Sequence, residues 1–339
     1  MNNHYALIRR ALLLALFIVP FCLAGCTKME PQKSASEPET LLQYGQMCTD
    51  LIGEIPAFNC NDGEIVPITV NGKIPKDYST VTTCDKPAML PYAEDTFGQC
   101  TPYSKVLDLS RGEVQISAFC RREYLREPQS PLYDEVDIIL HSVATGDTCW
   151  FHAESPPGDS SGFDASRVPP PNEKAPPSAN NTSAEKFWWS PQKTATKECG
   201  SCHDADPFMY SPYIGQVWHK VPTDPWGFYN NHVGSAFNAW PKPKAISTRD
   251  NTCNGCHRIG NLNSCDLGII ASAAGRMPIK GANARGNSFP LNHWMPVDNF
   301  HSEVFWNTVY SDSVDALLSC CGDPNQAKCE LTPIEGLGF

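Results

Sequence analysis

The chain has 339 residues, 41% of them hydrophobic and 19% charged, which is enough apolar material for a sizeable core and too much for a disordered tail. Its 30 prolines and its low charge, against a usual ~25%, favour loops and turns over long surface helices and exclude a coiled coil. The net charge of −11 argues against nucleic acid as a partner, and the 16 cysteines are too many for a reducing cytosol unless they bind something. An oxidising compartment follows, and the length suggests two compact units.

Residues 1–25 read as an export signal. Arg9 and Arg10 close a short basic region, and Ala11 to Leu23 is an apolar run too short to span a bilayer comfortably. The signal ends in Leu23-Ala24-Gly25-Cys26, which resembles the lipobox of bacterial lipoproteins. That resemblance implies cleavage before Cys26, lipidation of its thiol and a membrane attachment through acyl chains. Thr27 stands where the family's inner-membrane retention signal would place Asp, which implies the outer membrane of a Gram-negative bacterium, facing the periplasm or the cell surface. Without residues 1–25 the chain carries 24 basic and 37 acidic residues, a charge of −13 that suits a basic redox partner.

Residues 26–40 are polar and form a tether. Residues 41–154 read as β-rich: Glu64 to Val70 alternates, Asn71-Gly72 marks a hairpin turn, and Glu113 to Phe119, Glu135 to His141 and Asp147 to His152 are further strands. A helical stretch falls near Leu41 to Ile52. The expectation is a disulfide-bonded, sandwich-like domain holding Cys48, Cys60, Cys84, Cys100, Cys120 and Cys149. Residues 155–183 contain seven prolines (Pro156, Pro157, Pro169, Pro170, Pro171, Pro176 and Pro177) and read as a linker or long loop. Residues 184–339 are aromatic, with little strand alternation and few helical periods, so the overall class is α+β with a loop-rich, short-helix second half.

Two segments in that half, Cys199-Gly200-Ser201-Cys202-His203 and Cys253-Asn254-Gly255-Cys256-His257, are exact copies of Cys-x-x-Cys-His. On one helical turn this spacing puts two thiols on one face, where they can add to the two vinyl groups of a porphyrin, while the adjacent His reaches the iron. Zinc ligation leaves both trailing histidines unexplained, and a thioredoxin-like motif needs a βαβ frame that the chain lacks. The C-terminal half thus resembles a diheme c-type cytochrome. The resemblance implies two haem c groups, thioether links at Cys199, Cys202, Cys253 and Cys256, and proximal ligands at His203 and His257. Candidates for the far side of the irons are Met295 and Met277, each followed by proline, and then His232 and His219, with His293 and His301 as further alternatives. Trp188, Trp189 and Trp218 are expected to wall the haems against water.

Ten cysteines remain outside the leader, the lipobox and the motifs, six before the Pro-rich segment and four after it. Even numbers predict three disulfides and two, with Cys320 and Cys321 bridging to Cys265 and Cys329 rather than to each other. For function, the diheme resemblance implies electron transfer between envelope redox partners. The alternatives are a diheme oxidoreductase with one open haem, peroxidase-like or oxidising sulfur compounds, and an envelope binding protein in which residues 41–154 capture a ligand. The motifs lie closer together than in diheme peroxidases. No triad, phosphate loop or His-Glu-x-x-His helix supports hydrolysis or nucleotide binding.

Overall fold

In a computed structural model, residues 40–90, 97–266, 269–276, 279–283 and 303–334 are described. The leader, Cys26, Met277 and Met295 lie outside them, as do His293 and His301. Helix α1, Leu41–Leu51, begins at a capping box in which the Thr40 hydroxyl accepts from Gln43 N and the Gln43 side chain accepts from Thr40 N. Its buried residues Leu41, Tyr44, Gly45 and Cys48 recur at helical spacing and give it one apolar stripe.

That stripe packs on a five-stranded antiparallel sheet formed by β1 (Glu64–Ile65), β2 (Lys105–Asp108), β3 (Val114–Arg121), β5 (Glu135–Ser142) and β6 (Thr148–Glu154), in the order β1-β2-β3-β5-β6. Register explains the burial. Ile116, Ala118 and Cys120 of β3 lie opposite Leu140, Ile138 and Val136 of β5, which in turn lie opposite Cys149, Phe151 and Ala153 of β6. All nine are buried on one face, against Leu41, Tyr44 and Cys48 of α1. At about 1.5–3 kcal/mol for each large apolar side chain, this face is the main source of stability. Disulfides Cys48–Cys149 and Cys60–Cys120 pin α1 and the loop before β1 to the sheet, and Cys84–Cys100 closes the loop before β2.

Besides this sheet, the described residues of the first half hold one two-stranded pair, Leu132–Tyr133 with Phe163–Asp164. The apolar stripe of α1 already covers the hydrophobic face, together with Ala165 and Val168, both fully buried. Residues 155–183 are held down: β7 (Phe163–Asp164) pairs with β4 (Leu132–Tyr133), Val168 bridges Phe58, and Trp188 Nε1 donates to Pro169 O. Trp188, Tyr229, Phe237 and Trp240 join the same core as α1, so one apolar cluster runs from residue 41 into the second half of the chain.

The rest of the second half is loops and short elements. After α2 (Ala184–Phe187), α3 (Pro191–Ala195) and α4 (Cys199–Cys202), a smaller core forms around the antiparallel pair β8 (Lys244–Thr248) and β9 (Cys329–Pro333). Helices α5 (Asn263–Asp266), α6 (Ile269–Ala273), α7 (Glu303–Trp306) and α8 (Asp312–Gly322) complete it, with Ile246, Ile270, Trp306, Val314 and Leu317 inside. Disulfides Cys265–Cys321 and Cys320–Cys329 staple α8 to its surroundings. The fold is therefore a mixture of helix and sheet carrying five disulfides among the described residues, three before the Pro-rich segment and two after it, with Cys320 and Cys321 paired as their adjacency requires. No helix among the described residues is long and apolar enough to cross a membrane.

Candidate functional site

Each Cys-x-x-Cys-His segment makes one helical turn. His203 N donates to Cys199 O at 2.8 Å, and His257 N donates to Cys253 O at 2.9 Å. The same backbone turn thus recurs at both motifs. The four motif cysteines are the free ones among the described residues, while the ten others there are disulfide-bonded. Burial pushes the thiols of Cys199, Cys202 and Cys253 up, which keeps them protonated near neutral pH.

The first turn is fixed from several sides. Glu198, with φ +51°, reverses the chain into α4. Gly200 faces Asn231 and Trp240 so closely that a Cβ there would lie 2.5 Å from Asn231 Nδ2 and 2.7 Å from the Trp240 ring. Trp240 Nε1 donates to Ala195 O, and Tyr229 Oη donates to His203 O. His203 Nδ1 lies 2.8 Å from Pro207 O, so this nitrogen is the donor and Nε2 is the nitrogen with a lone pair. Burial pushes this imidazole down to about 4, so it is neutral. A neutral imidazole oriented through one nitrogen by a carbonyl is the arrangement a metal-ligating histidine takes.

The second turn is anchored differently. Asn251 Oδ1 accepts from Cys253 N and Asn254 N, capping the turn, and Asn251 Nδ2 donates to Ser313 O on α8. Asn254 bonds β8 in both directions, accepting from Thr248 N and donating to Ile246 O. Cys256 and His257 are exposed, in contrast to the half-buried Cys199, Cys202 and His203.

The two turns are linked by the residues that follow them. The buried Asp204 carboxylate accepts from Leu262 N, Ser264 N and Ser264 Oγ, and burial raises its pKa. Gly260 permits this approach, since a Cβ there would lie 2.0 Å from the Asp204 carboxylate. Arg258 pairs with Asp206, and Asn263 Nδ2 lies 3.2 Å from Cys202 Sγ. The distal candidates are less well gathered. His232 adjoins Asn231, the neighbour of Gly200, and its Nδ1 lies 3.2 Å from Asn231 Oδ1. His219 pairs with Glu64 on β1, the edge strand opposite β6, and so stands away from the first turn.

The first turn rests on the sheet face opposite α1, with the His203 and Trp150 ring centroids 5.3 Å apart. That face carries Arg121, Glu135, Asp137, His152 and Glu154, which reading the motifs alone did not single out. The signal was available in the alternation Glu135, Val136, Asp137, Ile138, which puts both acids on one face, and in the short turn before β6, which brings His152 opposite Asp137. Of the aromatic residues expected to wall a haem, Trp189 covers His152 with centroids 4.5 Å apart, Trp188 is buried in the main core, and Trp218 is 63% exposed.

Comparison with known proteins finds no matching family model, no matching curated protein and no matching solved structure.

Proposed function

We propose that this chain is a lipid-anchored envelope protein that transfers electrons through two covalently bound c-type haems. One observation carries the reading: among the described residues, the four cysteines left out of disulfides are those of the two Cys-x-x-Cys-His turns. In an oxidising compartment, free thiols at this spacing call for a covalent partner. The residues fit that group: Pro207 O accepts from His203 Nδ1, which leaves Nε2 as the nitrogen that would ligate an iron. Cys199, Cys202 and His203 would hold one haem, and Cys253, Cys256 and His257 the other. A bound haem supplies a one-electron couple at iron. Trp150 and Trp240 exclude water from the first turn, Asp204 and the Arg258–Asp206 pair fix the two turns to each other, and Asn251 with Asn254 holds the second turn on β8 and α8. The acidic charge favours a basic partner protein, the lipobox at Cys26 supports a lipid anchor, and Thr27 after it favours the outer membrane.

The second reading, a diheme oxidoreductase with one open haem acting on peroxide or sulfur compounds, draws on the exposure of Cys256 and His257. Carbon monoxide separates the two. For an electron carrier the reduced spectrum is low-spin and unchanged by the gas, because both irons are six-coordinate. A shift in one haem would contradict the carrier reading and assign an open site.

A further inference from the structure

The chain between the two motifs is tied to both of them and turns aromatic side chains outward. Asp224-Pro225-Trp226-Gly227 has the residues that a type I turn prefers, with the acid first, proline second and glycine last, and Gly227 N donates to Asp224 O at 3.3 Å. A Cβ at Gly227 would lie 1.9 Å from Asp224 Oδ2, so glycine lets the turn close. The Gly227 carbonyl accepts from Arg258 Nη1, in the residue after His257, and two residues on Tyr229 Oη donates to His203 O. Residues 226–228 therefore stand at the seam of the two Cys-x-x-Cys-His turns. Trp226 and Phe228 are 60% and 42% exposed there, while Tyr229 is buried.

This exposure is concentrated rather than scattered. Of the six exposed aromatic residues among those described, Tyr210, Trp218, Trp226 and Phe228 all fall between residues 210 and 228, and clustered apolar surface marks an interaction site where single exposed side chains do not. The segment is also held in place. Tyr210 Oη donates to Val221 O and Pro222 O, Val221 N donates to Trp218 O, and Gln115 Nε2 on β3 donates to Thr223 O. Aromatic side chains on fixed backbone lose little freedom on association.

The surroundings decide what such a surface receives. Within residues 204–230, Asp204, Asp206 and Asp224 stand against one lysine, Lys220. Arg258, brought in by the fold, is spent on Asp206. Asp224 faces His141, and Asp147, next to the Gly146 that lies against Phe228, is held by Asn230 and Thr145; neither carboxylate has a lysine or arginine partner among the described residues. Carboxylates beside the aromatic pair oppose an anionic lipid surface. A second copy of a chain with net charge −11 would bring like charge to like, whereas a basic protein brings the complement.

We propose that Trp226 and Phe228, rimmed by Asp147 and Asp224, form the docking surface for a basic redox-partner protein. This rests on the haem reading above, which assigns a haem to each of the two motifs that the turn joins. The aromatic pair supplies the desolvated centre of the interface, and the carboxylates supply the rim that steers the partner.

The test is a calorimetric binding titration of the haem-loaded full chain with a small basic cytochrome c as the probe, at low and at moderate salt. The wild type should bind, more weakly as salt rises. Trp226→Ala should weaken binding roughly tenfold or more, and Asp147→Asn combined with Asp224→Asn should flatten the salt dependence. Phe228→Ala is a second probe of the pair should Trp226→Ala fail to fold. Equal affinity in the wild type, Trp226→Ala and Phe228→Ala would overturn the proposal, as would no binding by the wild type. A wild-type dimer in sedimentation that Trp226→Ala dissolves would overturn it in favour of a second copy. A changed haem spectrum in Trp226→Ala would overturn it by making the indole part of a haem wall. A chain without covalent haem would instead overturn the underlying reading, and the same titration would still report on the docking surface, so the two failures are distinguishable.

Discussion

Gly200 and His203 show how tightly the first motif is specified. No Cβ fits at Gly200 without displacing Asn231 or Trp240, both on backbone that the core fixes. Gly200→Ala should therefore destabilise the protein by roughly 1–3 kcal/mol and lower haem incorporation at this turn alone, as measured by thermal unfolding and haem content. His203→Ala should convert half of the low-spin signal to a high-spin or exchangeable form, and an unchanged spectrum would contradict the assignment. His152, set between the Asp137 and Glu154 carboxylates, and Glu135 beside it give a pH dependence with a definite sign. His152 is raised to about 9 by Asp137, Glu154 and Glu135 against the effect of burial, and Glu135 is raised to about 7 chiefly by burial. Both folded values lie above their unfolded ones, so the folded state binds more protons between them and loses stability as pH rises. The His152 contribution is complete below about pH 6.5, amounts to roughly 3 kcal/mol, and disappears as pH climbs toward 9. Denaturant midpoints taken across that window should fall, and His152→Gln should remove most of the slope.

At the scale of elements, the disulfide Cys48–Cys149 joins α1 to β6 across 101 residues. Replacing both cysteines by serine should cost about 2–5 kcal/mol in chemical unfolding, more than opening Cys320–Cys329, which spans 9 residues. The halving of the cysteines and the adjacency of Cys320 and Cys321 were legible without coordinates, because a strained vicinal bond leaves each of them to find another partner. Strands β3, β5 and β6 were legible too: in β5, Val136, Ile138 and Leu140 recur at every second position, and Glu135, Asp137 and His141 fall on the alternate ones. That same alternation misleads about the other face. Glu135, Asp137 and His141 occupy positions that such a pattern gives to solvent, yet Phe208 packs on His141, Trp189 on His152 and Lys197 on Glu154, and His141 is fully buried. Which segment covers a sheet face is a matter of contacts between residues far apart in the chain, and no local pattern records it. The short helical turns of the two motifs follow from their spacing, but the bonds from Asn254 to β8 and from Asp204 to the 262–264 loop do not.

For the whole molecule, the apolar cluster that runs from Leu41 through Trp150 to Trp240 makes the first motif part of the β-rich half rather than a separate attachment. The second motif stands on its own core, with Ile246 and Leu317, and is the more open of the two. On the proposed diheme reading, two environments predict two potentials, and the centre at the exposed second motif should exchange electrons more readily with an outside partner. An acidic surface further predicts that transfer to a basic protein slows as salt rises, over a range in which transfer to a neutral dye is unchanged. The most direct measurement of all is the haem count. A pyridine haemochrome assay on the purified, denatured chain should return two covalently attached haems, falling to one in Cys199→Ala/Cys202→Ala and to one in Cys253→Ala/Cys256→Ala. A chain exported to an oxidising compartment with no haem attached, and with its four motif thiols free or cross-linked, would contradict the electron-transfer reading.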